Sequence, residues 1–139
     1  MNELKIDLDN ISFNTFCINF KKTYFQLKFV KINISKSSVY KTKKGYHIFL
    51  YLLKNNLNNR LLLECFFLSD VKKQLYAFIE QKDILFDVKN NYSVKFLKRN
   101  TNKLNKIIDE INRNYYKLTI LKNYNDKKSG KNERNKLFS

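Results

Sequence analysis

The sequence predicts an α+β domain: a mainly antiparallel sheet with two hairpins, two to three helices and a basic C-terminal tail. Three observations carry this expectation. Short runs alternate apolar and polar residues at period two, as in LKIDLD (Leu4 to Asp9). Other runs recur at three and four, as in the segment after Thr101. The runs follow in the order strand, hairpin, helices, hairpin, helix. The 139 residues fit one compact domain over 1–122, with 123–139 as a flexible basic extension.

Each element has its own warrant. In LKIDLD, Leu4, Ile6 and Leu8 share one face and Lys5, Asp7 and Asp9 the other. Residues 10–22 fit either a strand or an irregular helix, through Ile11, Phe13, Phe16, Ile18 and Phe20. Tyr24 to Ser35 reads as a strand throughout, with Phe25, Leu27 and Phe29 on one face and Val30, Ile32 and Ile34 on the other. The phase change between Phe29 and Val30 predicts a bulge or twist. KSSVYKTKKG (Lys36 to Gly45) is a polar connection to YHIFLYLL, a central strand rich in aromatic and β-branched residues, and the whole forms a long hairpin. Leu57 to Leu68 reads as a helix, with two apolar strands as the alternative. Ser69 or Asp70 caps VKKQLYAFIEQK, with Val71, Leu75, Phe78 and Ile79 as the buried stripe. DILFDVKNNYSVKFL is a second hairpin around Asn90 and Asn91. Thr101 caps a last helix to about Leu121, along which Leu104, Ile107, Ile108, Ile111, Tyr115 and Leu118 form a stripe.

Charge is the strongest global signal. Lys and Arg total 28 against 12 Asp and Glu, a net +16. Such self-repulsion points to a polyanionic partner, with nucleic acid first and an anionic membrane surface second. AT-rich coding inflates Lys, Asn, Ile, Phe and Tyr together, and all five are abundant here, but that bias does not by itself deplete acids. No apolar run approaches the ~18 residues that span a bilayer, and the longest, LLLECFFL, contains Glu64. Cys17 and Cys65 lie far apart among apolar residues and read as buried free thiols in preference to a disulfide, which places the chain inside a cell. The compartments that fit are the mitochondrial matrix, another AT-rich organelle or the cytoplasm.

The cations concentrate towards the C-terminus, with 13 Lys or Arg and 4 Asp or Glu from Lys95 to Ser139. The candidate phosphate contacts there are Lys95, Lys98, Arg99, Lys103, Lys106, Arg113, Lys117, Lys122, Lys127 and Lys128. Tyr115, Tyr116 and Tyr124 interleave with them and have the character to stack on unpaired bases. A second basic group, Lys36, Lys41, Lys43 and Lys44, lies in the hairpin connection. On this reading the chain is a nucleic-acid-binding module that needs no cofactor, with RNA favoured over DNA. Its setting is then a component of an organellar ribosome, with neighbouring ribosomal proteins as further partners.

A second constellation is acidic. Asp7 and Asp9 share a strand face, a usual way to offer Mg²⁺ two oxygen ligands beside a nucleoside triphosphate. His47 and Asp87 follow on later strands. The order IDLD, then SKSSVYKTKKGYH, then LFD resembles the three motifs of the archaeo-eukaryotic primase–polymerase family. The resemblance implies Asp7, Asp9 and Asp87 as metal ligands, His47 as a phosphate contact, Mg²⁺ as cofactor, and a nucleotidyltransferase core, active or degenerate, in a viral or plasmid replication protein. Other chemistries lack their motifs. The only glycines are Gly45 and Gly130, so there is no glycine-rich phosphate loop, and no Cys–His spacing marks a nucleophile.

Overall fold

The computed structural model describes residues 2–53, 59–83, 85 and 94–129, with the backbone alone at 119–123 and 126–129. Strand β1 (Glu3–Asp9) turns Leu4, Ile6 and Leu8 into the core, as its alternation predicts. Asn10 then adopts a left-handed conformation, φ 60°, and donates its N–H to the Lys44 carbonyl at 2.9 Å. Helix α1 (Phe13–Lys28) starts at Ser12, whose hydroxyl accepts the Thr15 N–H, and buries Phe13, Phe16, Cys17, Phe20 and Tyr24.

That helix settles the ambiguous segment 10–22 and corrects the reading of Tyr24 to Ser35 as a strand. The chain stays helical to Lys28, and the next strand begins only at Ile34. The helical face wins because it is continuous from Phe13 to Tyr24 and covers the sheet. The competing period-two pattern leads to Phe29 and Val30, which are exposed.

Strand β2 (Ile34–Lys41) takes up most of what reads as a polar connection, and β3 (Gly45–Leu52) is its hairpin partner. The turn shrinks to Thr42–Lys44. Thr42 donates its N–H to the Gly45 carbonyl, and its hydroxyl accepts the Gly45 N–H, both at 3.0 Å. The register shift lies between Ile34 and Lys36, not at Phe29 and Val30.

Helices α2 (Arg60–Phe66) and α3 (Val71–Glu80) follow, the latter capped by Asp70, whose carboxylate accepts the Lys73 N–H. The expected stripe on α3 is inverted. Val71, Leu75, Phe78 and Ile79 are exposed, and Lys73, Gln74 and Ala77 are buried. The expected hairpin from Asp83 to Leu97 lies mostly outside the described residues, including Asp87, Asn90 and Asn91.

Strand β4 (Lys95–Phe96) leads directly into helix α4 (Lys98–Ser129). The helix therefore starts before Thr101 and passes Leu121, taking in 123–129; residues 130–139 lie outside the described residues. Thr101 is not its cap. It is buried, and its hydroxyl accepts the Val39 N–H at 2.9 Å. Along the expected stripe Leu104, Ile107, Ile108 and Ile111 are buried, Tyr115 is half-buried and Leu118 is exposed.

The architecture is α+β: the described residues form one antiparallel sheet in the order β1-β3-β2-β4 and four helices. Helices α1 and α4 pack on the face that carries Ile6, Val39, Ile48 and Leu50. They run parallel, since Asn14 meets Lys103, Tyr24 meets Asn112 and Phe29 meets Tyr115. No described helix is long and apolar enough to cross a membrane. Both cysteines are free thiols; Cys17 is buried as expected, but Cys65 is exposed, because α2 turns its Leu63 and Glu64 inward instead.

Outward amides of the edge strand β1, and of β2 where the two-residue β4 does not pair with it, are met by side chains. On β1, Lys5 N–H reaches Glu64 Oε2 and Asp7 N–H reaches Ser69 Oγ, while the Lys5 carbonyl accepts from Lys73 Nζ and the Asp7 carbonyl from the Asp70 N–H. On β2, Ile34 N–H reaches the Tyr24 hydroxyl, Ser37 N–H reaches Asn105 Oδ1 and Val39 N–H reaches Thr101 Oγ1. Thr101, Asn105 and Asn112 recur along one side of α4, so the helix tracks the strand.

Candidate functional site

Strands β1 and β3 place Asp7 directly opposite His47, with Asp7 Oδ1 and His47 Nε2 3.7 Å apart. That spacing allows an ion pair when the imidazole is protonated and exceeds hydrogen-bond length. Both side chains are buried. Asp9 sits two residues along the same face, paired with Gly45. Of the predicted quartet the structure thus joins Asp7 and His47 and places Asp9 at the strand end; Asp87 lies outside the described residues. Among the described residues no group of three or more His, Cys, Asp and Glu stands close enough to hold a metal ion. A groove of about 770 Å³ lies elsewhere, between the start of α2 and the end of α3, lined by Arg60, Leu61, Phe78, Ile79, Lys82 and Asp83 among others.

The basic residues show clearer organisation. Because Lys41 pairs with Lys95 across β2 and β4, the turn cations Lys43 and Lys44 share one end of the sheet with Lys95, Lys98 and Arg99. All of these side chains are exposed. Lys41 lies over the Tyr46 ring at 4.7 Å and donates to the Gly45 carbonyl. Lys103, one turn into α4, donates to Asn14 Oδ1 at the start of α1. Both parallel helices begin at this end, and neither has an acid in its first turn. Their macrodipoles therefore add positive potential where the lysines already cluster. Among the described residues of the strands, Asp9 is the carboxylate at this end.

The other predicted cations are spread more widely. Lys36 lies at the far end of β2, over the Tyr51 ring. Lys106, Arg113 and Lys117 are exposed along α4, where Asp109 and Glu110 interrupt them. Lys122, Lys127 and Lys128 fall in the last turns of that helix. Tyr115 packs edge-on against Phe29, whereas Tyr116 and Tyr124 are exposed.

A third cluster forms no motif in the sequence. Lys73 Nζ, fully buried, contacts Asp83 Oδ1 at 2.6 Å, Glu64 Oε1 at 3.1 Å and the Lys5 carbonyl at 2.8 Å. Gln74 Nε2 donates to Glu64 Oε1 and the Leu61 carbonyl. Burial and the adjacent Asp83 push the Glu64 carboxyl up to about 8, against the opposing pull of Lys73 and Gln74. Its members come from β1, α2, α3 and the turn after α3, at separations with no motif. The only visible signal was Glu64 inside the apolar run LLLECFFL.

Comparison with protein-family models, with curated proteins and with solved structures finds no match to this chain.

Proposed function

We propose that the protein binds nucleic acid, mainly through backbone phosphates, at the turn end of its sheet. The observation that carries this reading is the convergence there of Lys43, Lys44, Lys95, Lys98 and Arg99 with the starts of α1 and α4. Like charges gathered at one end repel one another, and a bound polyanion turns that repulsion into affinity. RNA is the favoured partner, as in the ribosome of an AT-rich organelle. Phe96 stands beside Lys95 with its ring about half exposed, and Tyr116 and Tyr124 are exposed on α4, so unpaired bases have surfaces to stack on. The nucleotidyl-transfer reading, with Mg²⁺ held by Asp7, Asp9 and Asp87, is the less favoured one. Asp7 and His47 are shut from solvent, whereas a metal that acts on triphosphates needs open coordination positions.

Filter binding to single-stranded RNA, duplex RNA and duplex DNA across a salt series tests the proposal. Affinity for single-stranded RNA is expected to fall linearly with log salt. The exposed triple change Lys43→Glu, Lys44→Glu, Lys98→Glu should weaken it about 100-fold and reduce the salt slope by about 2. Binding that is insensitive to salt, or unchanged in the triple variant, would remove this interface.

A further inference from the structure

The inverted amphipathicity of α3 has a physical cause and leaves a surface to be explained. Lys73 and Gln74 face inward because they seal the edge of β1 and complete the Glu64 network. The apolar residues at i, i+4, i+7 and i+8, Val71, Leu75, Phe78 and Ile79, are thereby turned to solvent. Leu62 and Phe66 of α2 are also turned outward, and the six are between 50% and 72% exposed. Isolated apolar side chains on a surface need no explanation, but a stripe along one helix with a neighbouring pair does.

We infer that the exposed α2–α3 face is an interface between two copies of this chain, packed about a two-fold axis. Two features argue for a second copy. Six side chains that each present on the order of 100 Å² offer about 600 Å², close to the ~800 Å² that each partner contributes to a standard interface. Outside the buried network, residues 60–83 carry three cations (Arg60, Lys72, Lys82) and two acids (Asp70, Glu80), a near balance within a chain of net +16. Two copies therefore meet here with little of the repulsion they would feel elsewhere, and an anionic surface finds little net attraction. The surface is separate from the basic end of the sheet, so the inference stands independently of the nucleic-acid reading.

The test is sedimentation equilibrium of the full chain, freed of nucleic acid by nuclease and high salt so that RNA does not bridge copies. The wild type is expected to dimerise with a Kd in the micromolar range, and Leu75→Ser with Phe78→Ser to raise it at least about tenfold. Both residues are exposed in the single chain, so the double variant should keep the wild-type circular dichroism and melting profile when monomeric. A wild type that stays monomeric at about 100 µM, or a dimer indifferent to the double serine change, overturns the inference. So does a chain that is monomeric in solution but floats with phosphatidylglycerol vesicles, which would assign the face to lipid.

Discussion

Gly45 shows how much one residue decides. A methyl group there would meet the Leu8 carbonyl oxygen at 1.8 Å, inside the backbone of the neighbouring strand. Strands β1 and β3 approach this closely where Asp9 pairs with Gly45, and the same pairing puts Asp7 opposite His47. Gly45→Ala should therefore push the end of β1 away. The expected cost is on the order of 3 kcal/mol in urea unfolding, against less than about 0.5 kcal/mol for the exposed control Lys44→Ala. Tyr24 works in the opposite way, by reach. Its buried hydroxyl accepts the Ile34 N–H and donates towards Asn112 Oδ1 at 2.6 Å, which ties α1, β2 and α4 together, and burial pushes that phenol up to about 12. In the sequence Gly45 was conspicuous only as one of two glycines, and Tyr24 looked like the start of a strand.

At the scale of elements, period and capping were legible where one face is purely apolar. β1 and β3 follow that rule, and so does the buried part of α4 from Leu104 to Ile111, while the Asp70 cap of α3 was legible from residue type alone. The reading failed where polar side chains do the work of packing. β2 and its turn hide behind Ser37 and Thr42, whose hydroxyls are satisfied internally, and α3 buries a lysine and a glutamine while its apolar residues face out. No periodicity announces that inversion, because the partners of Lys73 lie 9 to 68 residues away. The Glu64 network makes a pH prediction. Its carboxyl titrates near 8 in the folded chain, above its ordinary value of 4.5. Between those values the folded state holds a proton that the unfolded state has lost. This contribution to stability is full below about pH 4.5 and drains away as pH rises through about 8. Urea midpoints of the wild type should fall across that window, and those of Glu64→Gln should fall less steeply. Equal slopes would show that Glu64 is ionised throughout.

At the scale of the whole molecule, the net charge of +16 sets two responses to salt that run in opposite directions. Screening relieves self-repulsion, so the melting temperature should rise by about 3–5 °C between 0.05 and 0.5 M salt, while affinity for nucleic acid falls. A melting temperature that falls instead would mean that attractive surface pairs outweigh the repulsion. The buried Lys73–Asp83 pair is little screened and should not mask the effect. The side-chain seals on β1 and β2 have a further consequence. An extended peptide joins a sheet only where a row of amides stands ready to receive it. Here Lys5 and Asp7 on one side, and Ile34, Ser37 and Val39 on the other, have already given theirs to helix and loop side chains. A chain so rich in Asn, Tyr and Phe thus folds into a sheet that offers these positions neither to a foreign strand nor to the template of a fibril.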